Sequence, residues 1–284
     1  MKNQAIHGVA AALALGTVAL SAGEESLANY VQEDAAQQWG VKVDYTLASK
    51  YMTHGFKVGG DNWSHQPSLT LDTAIEGLQF TYWAAFTDER ALNDADEMDF
   101  MLTYQKTLNE DSDWAVNVHG LVNYWLYPHQ KVDVDRNGAP SNSISNYQGL
   151  KMHIGASLPK RISLADGIFL VPSYNIYYWM PTTGDQFDDG FVHELFLSTS
   201  IPMNISSCKY VPDHFTLGGS VNYNTGVFGV ESGWSHATAH IGTSAPITDS
   251  LSWNAGLNYQ WTFEDTVNPD GDEFWGQVGV SWSF

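Results

Sequence analysis

A single cysteine, Cys208, stands among 284 residues. One thiol excludes an internal disulfide framework and a cluster of thiolate metal ligands, so stability has to come from an extended hydrogen-bonded structure. Basic residues are also scarce: 12 Lys and Arg face 32 Asp and Glu, for a net charge of −20. That balance excludes nucleic acid as an expected partner. Long apolar runs are missing beyond the first residues. Nothing after residue 23 approaches the roughly 20 consecutive apolar residues of a spanning helix, which leaves any membrane crossing to strands. Charge as a whole is thin, at 15% of residues against 13% aromatic. The acidic excess must therefore be concentrated in parts of the chain rather than spread over a conventional soluble surface.

What is present begins with MKNQAIHGVAAALALGTVALSAG. Lys2, an apolar run from Val9 to Leu20, and the small residues Ser21 and Gly23 before Glu24 match a secretory signal peptide. The run is too short and too rich in Ala and Gly for a first transmembrane helix. The expected organisation is a leader at 1–23, a short polar segment at 24–39 and one strand-built unit at 40–284.

A period-2 template finds twelve segments in that unit, at about 41–52, 67–76, 78–86, 98–108, 114–127, 150–158, 168–180, 191–201, 214–225, 234–247, 251–263 and 274–284. Most are near the roughly 9 to 11 residues with which a tilted strand crosses a bilayer. In the eleventh, Leu251, Trp253, Ala255, Leu257, Tyr259, Trp261 and Phe263 interleave with Ser252, Asn254, Gly256, Asn258, Gln260 and Thr262. The fourth and ninth repeat this pattern. Connections after odd segments are long and acidic, whereas several after even ones are tight turns such as Glu76-Gly77 and Thr248-Asp249-Ser250. The connections PKRISLADG and MNISSCKYVPD are longer than this alternation expects.

A secreted β-sandwich would also show regular strands. Its outer faces, however, would carry many Lys and Glu. Here the polar parity is mainly Ser, Thr, Asn, Gln and Gly, and the apolar parity carries aromatics near both strand ends. That pattern predicts an all-β transmembrane barrel: antiparallel, up-and-down, of about 12 strands, with lipid outside and a polar interior. The chain ends WGQVGVSWSF. Gln277, Gly279, Trp282 and Phe284 resemble the C-terminal assembly signal of bacterial outer-membrane barrels. The expected partners are therefore the barrel-assembly machinery and outer-membrane lipid, including lipopolysaccharide.

The stretch TLASKYMTHGFKVGGDNWSHQPSLTLD, with Ser49, Tyr51 and Gly55 followed by Gln66, Pro67 and an alternating strand, resembles the first hairpin of the TorF-like porin family of bacterial outer-membrane proteins. His54 stands where that family has Arg. The resemblance implies a small barrel of channel function and supplies no catalytic residues.

Twelve strands about 4.8 Å apart and tilted near 40° close into a barrel roughly 24 Å across, leaving a lumen of about 10 Å or less. Inward parity places Trp83, Trp125, Tyr127, Tyr177, Trp179, Trp234 and Trp275 toward the outer mouth, with Asn123, Asn175 and Gln277 among them. His236 and His240 share the inward side of their strand but are roughly 13 Å apart, too far to share a metal ion. His119 and His153 point inward at different expected depths. Asn258 lines the same space. Aromatic faces beside amides suit neutral polar rings, and they equally suit packing against inward-folded loops.

Neither chemistry nor metal binding is expected, and no cofactor is implied. A lipid-modifying enzyme needs Ser and His together on the lipid face; His193 has the right parity, without a serine motif beside it. The loop Asp133–Gly138 matches the first half of a calcium loop and then fails, with Ile144 where a bidentate Glu belongs. The reading is a passive outer-membrane channel for small polar solutes, modestly cation-preferring. Asp61, Asp88, Glu89, Asp94, Asp96, Glu97, Asp185, Asp188, Asp189, Glu264, Asp265, Asp270, Asp272 and Glu273 would ring one mouth. Inside, Lys42, Lys50 and Lys151 would balance Asp44, Asp72, Asp99 and Glu194. The alternatives are the lipid-modifying enzyme and a closed barrel presenting surface-binding loops.

Overall fold

Alternation in sequence becomes alternation in burial. Toward the C-terminus Glu273, Trp275, Gln277 and Gly279 are buried, while Phe274, Val278, Val280 and Trp282 are exposed. Successive side chains of a strand point to opposite faces, so one parity lies inside and the other outside.

A computed structural model of the chain describes residues 40–87, 96–133, 144–183, 188–203 and 210–284. The expected leader, the segment 24–39, Cys208 and most of the calcium-like loop lie outside these residues. The strands are β1 (Val41–Ala48), β2 (Tyr51–Thr53), β3 (Phe56–Val58), β4 (Ser64–Asp72), β5 (Leu78–Thr87), β6 (Glu97–Leu108), β7 (Val116–Asp133) and β8 (Ile144–Ser157). They continue with β9 (Ile162–Ala165), β10 (Ile168–Pro181), β11 (Gly190–Pro202), β12 (His214–Asn224), β13 (Gly233–Pro246), β14 (Leu251–Thr262) and β15 (Glu273–Ser283). All but β2, β3 and β9 form one antiparallel ring, a closed barrel of twelve strands.

Closure is made by β1 and β15. Val43 faces Trp282, Thr46 faces Gly279 and Ala48 faces Gln277. With the terminal strands paired, the ring leaves no open edge to recruit another chain. Among the described residues no helix is long and apolar enough to cross a membrane.

The outer surface is an apolar belt. Phe100, Leu102, Val122, Ile154, Leu195, Leu197, Leu257 and Val278 are all exposed, Ile154 to 68%. A belt of that extent is far from what water tolerates and fits hydrocarbon.

Tight turns join β4 to β5 and β13 to β14 on one rim. In the first, Gly77 has φ +78, and a Cβ there would sit 2.2 Å from the backbone oxygen of Gln105, so only glycine fits. The long connection PKRISLADG is explained by β9, which folds back to pair with the start of β10. The other departure is at the opposite rim. Residues 41–52 are expected as one strand, yet β1 stops at Ala48, and β2 and β3 form a separate two-stranded hairpin.

Candidate functional site

The interior divides into two walls of different chemistry. Along β6–β11 several inward side chains are ionisable or bonded to ionisable partners, among apolar ones such as Met101, Leu121 and Phe196. Asn123 Nδ2 donates to Asp99 Oδ2 at 2.6 Å, and Asn175 Nδ2 donates to Glu194 Oε2 at 2.7 Å. The Tyr177 hydroxyl donates to the same Glu194 oxygen at 3.0 Å. Lys151, 3% exposed, lies over the Trp179 ring at 4.8 Å, a cation–π contact. These buried groups are each held by a neighbour on the next strand.

His119 Nε2 lies 3.1 Å from Asn175 Oδ1, and the His119 ring is 4.9 Å from that of His153. The two do lie on different rungs, His119 facing Gly155 and His153 facing Leu121, yet the rings meet. His119 faces Gly155 in the β7–β8 register, and Gly155 has no side chain to occupy the space, so the imidazole reaches diagonally to its neighbour. His153 stacks on Tyr177 at 4.2 Å.

Along β12–β15 the interior is mostly neutral amide, hydroxyl and imidazole. Ser220 and Thr238 share a 2.8 Å hydrogen bond, and Asn222, His236, His240, Asn258, Gln260 and Gln277 are all buried. His240 lies across Gly218, where a Cβ would come within 2.0 Å of its Cε1, and stacks on Phe196 with rings 7° from parallel. The amide nitrogen and oxygen of Asn258, Nδ1 of His240 and Nε1 of Trp275 have no hydrogen-bonding partner among the described residues. Trp125, Tyr177 and Trp179 are buried inside, and Trp83 packs on Tyr51 with rings 5.8 Å apart.

Trp234 is a correction. It is 53% exposed and packs edge-on against Tyr223 on the outer face. The cause is a bulge: Asn222 faces His236, but Tyr223 faces Trp234, so Ser235 is extra, and Ser235 and His236 are both buried.

The upper lumen is filled from above. The hairpin turns at His54 (φ 44) and Gly55 (φ 89), two left-handed residues of the kind a two-residue turn uses. Tyr51 donates its hydroxyl to Glu97 on β6. His54 packs edge-on against Tyr177 and Trp179 of β10, with centroids 4.7 and 4.9 Å away. The Gly55 carbonyl accepts from Gln260 Nε2 of β14 at 2.9 Å, and a Cβ on Gly55 would strike His236 of β13. Side chains from widely separated strands meet one hairpin, so it crosses the lumen. A second element closes on it: Phe228, in a 3-10 turn at Val227–Gly229, packs against Phe56, Trp125 and Trp179.

An ion cluster holds the hairpin's root. Lys57 reaches Asp270 at 2.6 Å, Glu273 at 2.8 Å and Asp61 at 3.3 Å, and Lys50 reaches Glu273 and, at 3.0 Å, Asp61. Burial alone would pull the Lys57 pKa down, yet hydrogen bonds to Asp270, Glu273 and Asp61 raise it above the ordinary lysine value. The hydrogen bonds from Lys50 and Lys57 hold the Asp61 carboxyl below its usual range.

The expected mouth charges therefore need revision. Glu97 is buried within the barrel, and Asp61, Asp270 and Glu273 are paired with lysines. Lys50, expected inside, belongs to this cluster with the buried Glu273. Asp88, Glu89, Asp94 and Asp185 lie outside the described residues.

Sequence reasoning missed His54, Lys57 and Phe228 as interior residues. A usable signal was present for the first two: YMT and FKV are short strand-prone runs around His-Gly, the composition of a tight hairpin. Nothing in period-2 reading tells whether such a hairpin folds inward or outward. His193 faces outward, its Nδ1 2.7 Å from the Tyr174 hydroxyl. Among the described residues, no group of three or more His, Cys, Asp or Glu is placed to hold a metal ion.

Compared with solved structures, the chain is similar to the KdgM porin, at 10% identity and a TM-score of 0.48 over 86% of this chain and 99% of that one. It is similar to the NanC porin, at 10% identity and 0.48 over 85% and 100%. It is also similar to an outer-membrane channel from Pseudomonas putida F1, at 12% identity and 0.46 over 88% and 97%. Likeness at this level does not carry a neighbour's activity to this chain. No protein-family model and no curated relative matches the sequence, so the likeness of residues 46–72 to the TorF-like porins has no family match beside it.

Proposed function

We propose that the protein is a porin-like channel of the bacterial outer membrane, set among its lipids and lipopolysaccharide, through which small polar solutes diffuse passively, with a modest preference for cations. The observation that carries this reading is the contrast between the two faces of one ring. Leu257 is 50% exposed on the outer belt, while its neighbour Asn258 is 2% exposed inside, with both amide atoms unpartnered among the described residues. A barrel serving only as an anchor gains nothing from an unpaired amide, because each such group costs about 1–3 kcal/mol. A wetted path supplies its partners. Selection here is physical: width sets size, lumen dipoles replace part of a solute's hydration shell, and fixed charges bias ions.

Cation preference is supported by Glu97, Asp99 and Glu194 buried beside Lys151, with the further buried carboxylate, Glu273, taken up by Lys50 and Lys57. The test is single-channel recording of refolded protein in planar bilayers. Discrete conductance steps are the expected result, and a barrel that inserts and never conducts would reject the reading. The plugged lumen favours one rival, a closed barrel whose loops bind a surface partner. That rival predicts no steps at all.

A further inference from the structure

We propose that residues 49–63 form a hinged plug, latched shut by Lys50 and Lys57 against Asp270 and Glu273, and that release of this latch opens the lumen. The inference rests on the channel reading. Its first support is topological. Ala48 and Ser64 are direct cross-strand partners of β1 and β4, so everything between them is an excursion whose two ends meet at one rung of the ladder. The excursion can swing without breaking a barrel hydrogen bond beyond the rim. Ser49 marks the hinge: its N–H donates to the Gly276 carbonyl at 2.8 Å, and its hydroxyl accepts from Gly276 N at 3.0 Å.

The second support is that the plug carries its own structure. Tyr51 pairs with Val58, Met52 with Lys57 and Thr53 with Phe56 across the His54-Gly55 turn. It can move as a body and return, the bistable element that gating requires. The third is the uneven bonding between plug and wall. Aromatic contacts dominate at the tip, where Gln260 supplies a hydrogen bond to the Gly55 carbonyl. Ion pairs concentrate at the root, with both ammonium groups on the plug and two of three carboxylates on the β14–β15 side. Lys57 and Glu273 are 8% and 5% exposed, so solvent and salt screen this pair little. Asp61 travels with the plug and keeps both lysines charged. At the Tyr51–Val58 rung the plug also holds the opposite wall, where the Tyr51 hydroxyl donates to Glu97 of β6.

The test compares the open fraction of single channels for the wild type, Lys57→Met, Glu273→Gln, Lys57→Arg and a variant in which two glycines replace residues 50–63. Only preparations that show heat-modifiable migration are recorded. The expected result is a mostly closed wild type, an open fraction raised at least about tenfold by Lys57→Met and by Glu273→Gln, near-wild-type behaviour for Lys57→Arg, and a continuously open deletion. An open deletion beside latch variants that stay as closed as the wild type would overturn the proposal and leave the channel reading standing. A wild type that conducts continuously at the level of the deletion would also overturn it. A deletion variant that inserts and stays silent would reject plug and channel together.

Discussion

Gly77 and Gly271 both adopt positive φ, at +78 and +85, yet they carry different loads. A Cβ on Gly77 would lie 2.2 Å from a backbone oxygen, whereas nothing stands within 4 Å of one on Gly271. Gly271→Ala should cost roughly 1 kcal/mol for conformation alone, and Gly77→Ala should cost more because Gln105 must also shift. Urea titrations of folded barrel in detergent would show this order; equal midpoints would mean that the turn yields freely. The ion cluster makes a second prediction at this scale. The groups facing one another are Lys50, Lys57 and Asp61 on the plug and Asp270 and Glu273 beside it. Asp61 moves with the two lysines, so the carboxylates whose protonation would free the plug are Asp270 and Glu273. Open fraction should be flat from pH 6 to 8 and rise below about pH 4, where carboxylates protonate. A rise between pH 6 and 8 would mean that the carboxylate latch does not hold the plug. The glycine at position 55 was legible as a turn, but its contact with His236 was not, because the two meet only across the barrel.

Single elements were legible where alternation runs unbroken. On β14 the burial from Gly256 to Trp261 follows parity, with Leu257 in the belt and Asn258 within. Leu257→Arg should therefore cost roughly 2 to 4 kcal/mol near the bilayer midplane, whereas Asn258→Arg should fold and change conductance. Equal folding defects from the two would mean the faces are misassigned. The rule failed on β13 because one extra residue, Ser235, reverses the parity of what precedes it, and Trp234 passes to the outer face. Period-2 reading has no signal for a bulge inside a run of strand-forming residues. The terminal strand shows the opposite case. Trp282 lies opposite Val43 of β1 and Leu251 of β14, Phe284 N donates to the Val41 carbonyl at 2.9 Å, and the two aromatic rings are 4.5 Å apart. Replacing both aromatics with Ser should lower the yield of inserted, heat-modifiable barrel, since the closing seam loses its interfacial anchors. Unchanged insertion in cells would show that the seam closes without them.

At the scale of the molecule, strand number and closure were legible because twelve alternating segments with an even count leave one economical solution, a ring. The filling of that ring was not legible, because inward folding of a loop depends on contacts among residues far apart in sequence. This shifts the origin of ion preference. A mouth ring of carboxylates would act through solvent and fade over roughly 8 to 10 Å at physiological salt. In the structure, three carboxylates of that ring are tied to lysines and Glu97 sits inside beside Asp99. Asp96, Asp188, Asp189, Glu264, Asp265 and Asp272 stay at the rim, with Asp189 accepting from the Tyr178 hydroxyl and Asp272 from that of Tyr259 at 3.0 Å. Two sources of cation preference then predict different salt dependence. Rim charge gives a reversal potential that collapses at high ionic strength, whereas Glu97, Asp99 and Glu194 act at close range in a narrow lumen and persist. Reversal potentials across potassium chloride gradients, at low and high mean salt, should therefore favour potassium in both, more weakly at high salt. Asp99→Asn with Glu194→Gln should remove the part that persists, and Asp188→Asn with Asp189→Asn the part that salt already screens. Chloride preference at low salt would reject both sources.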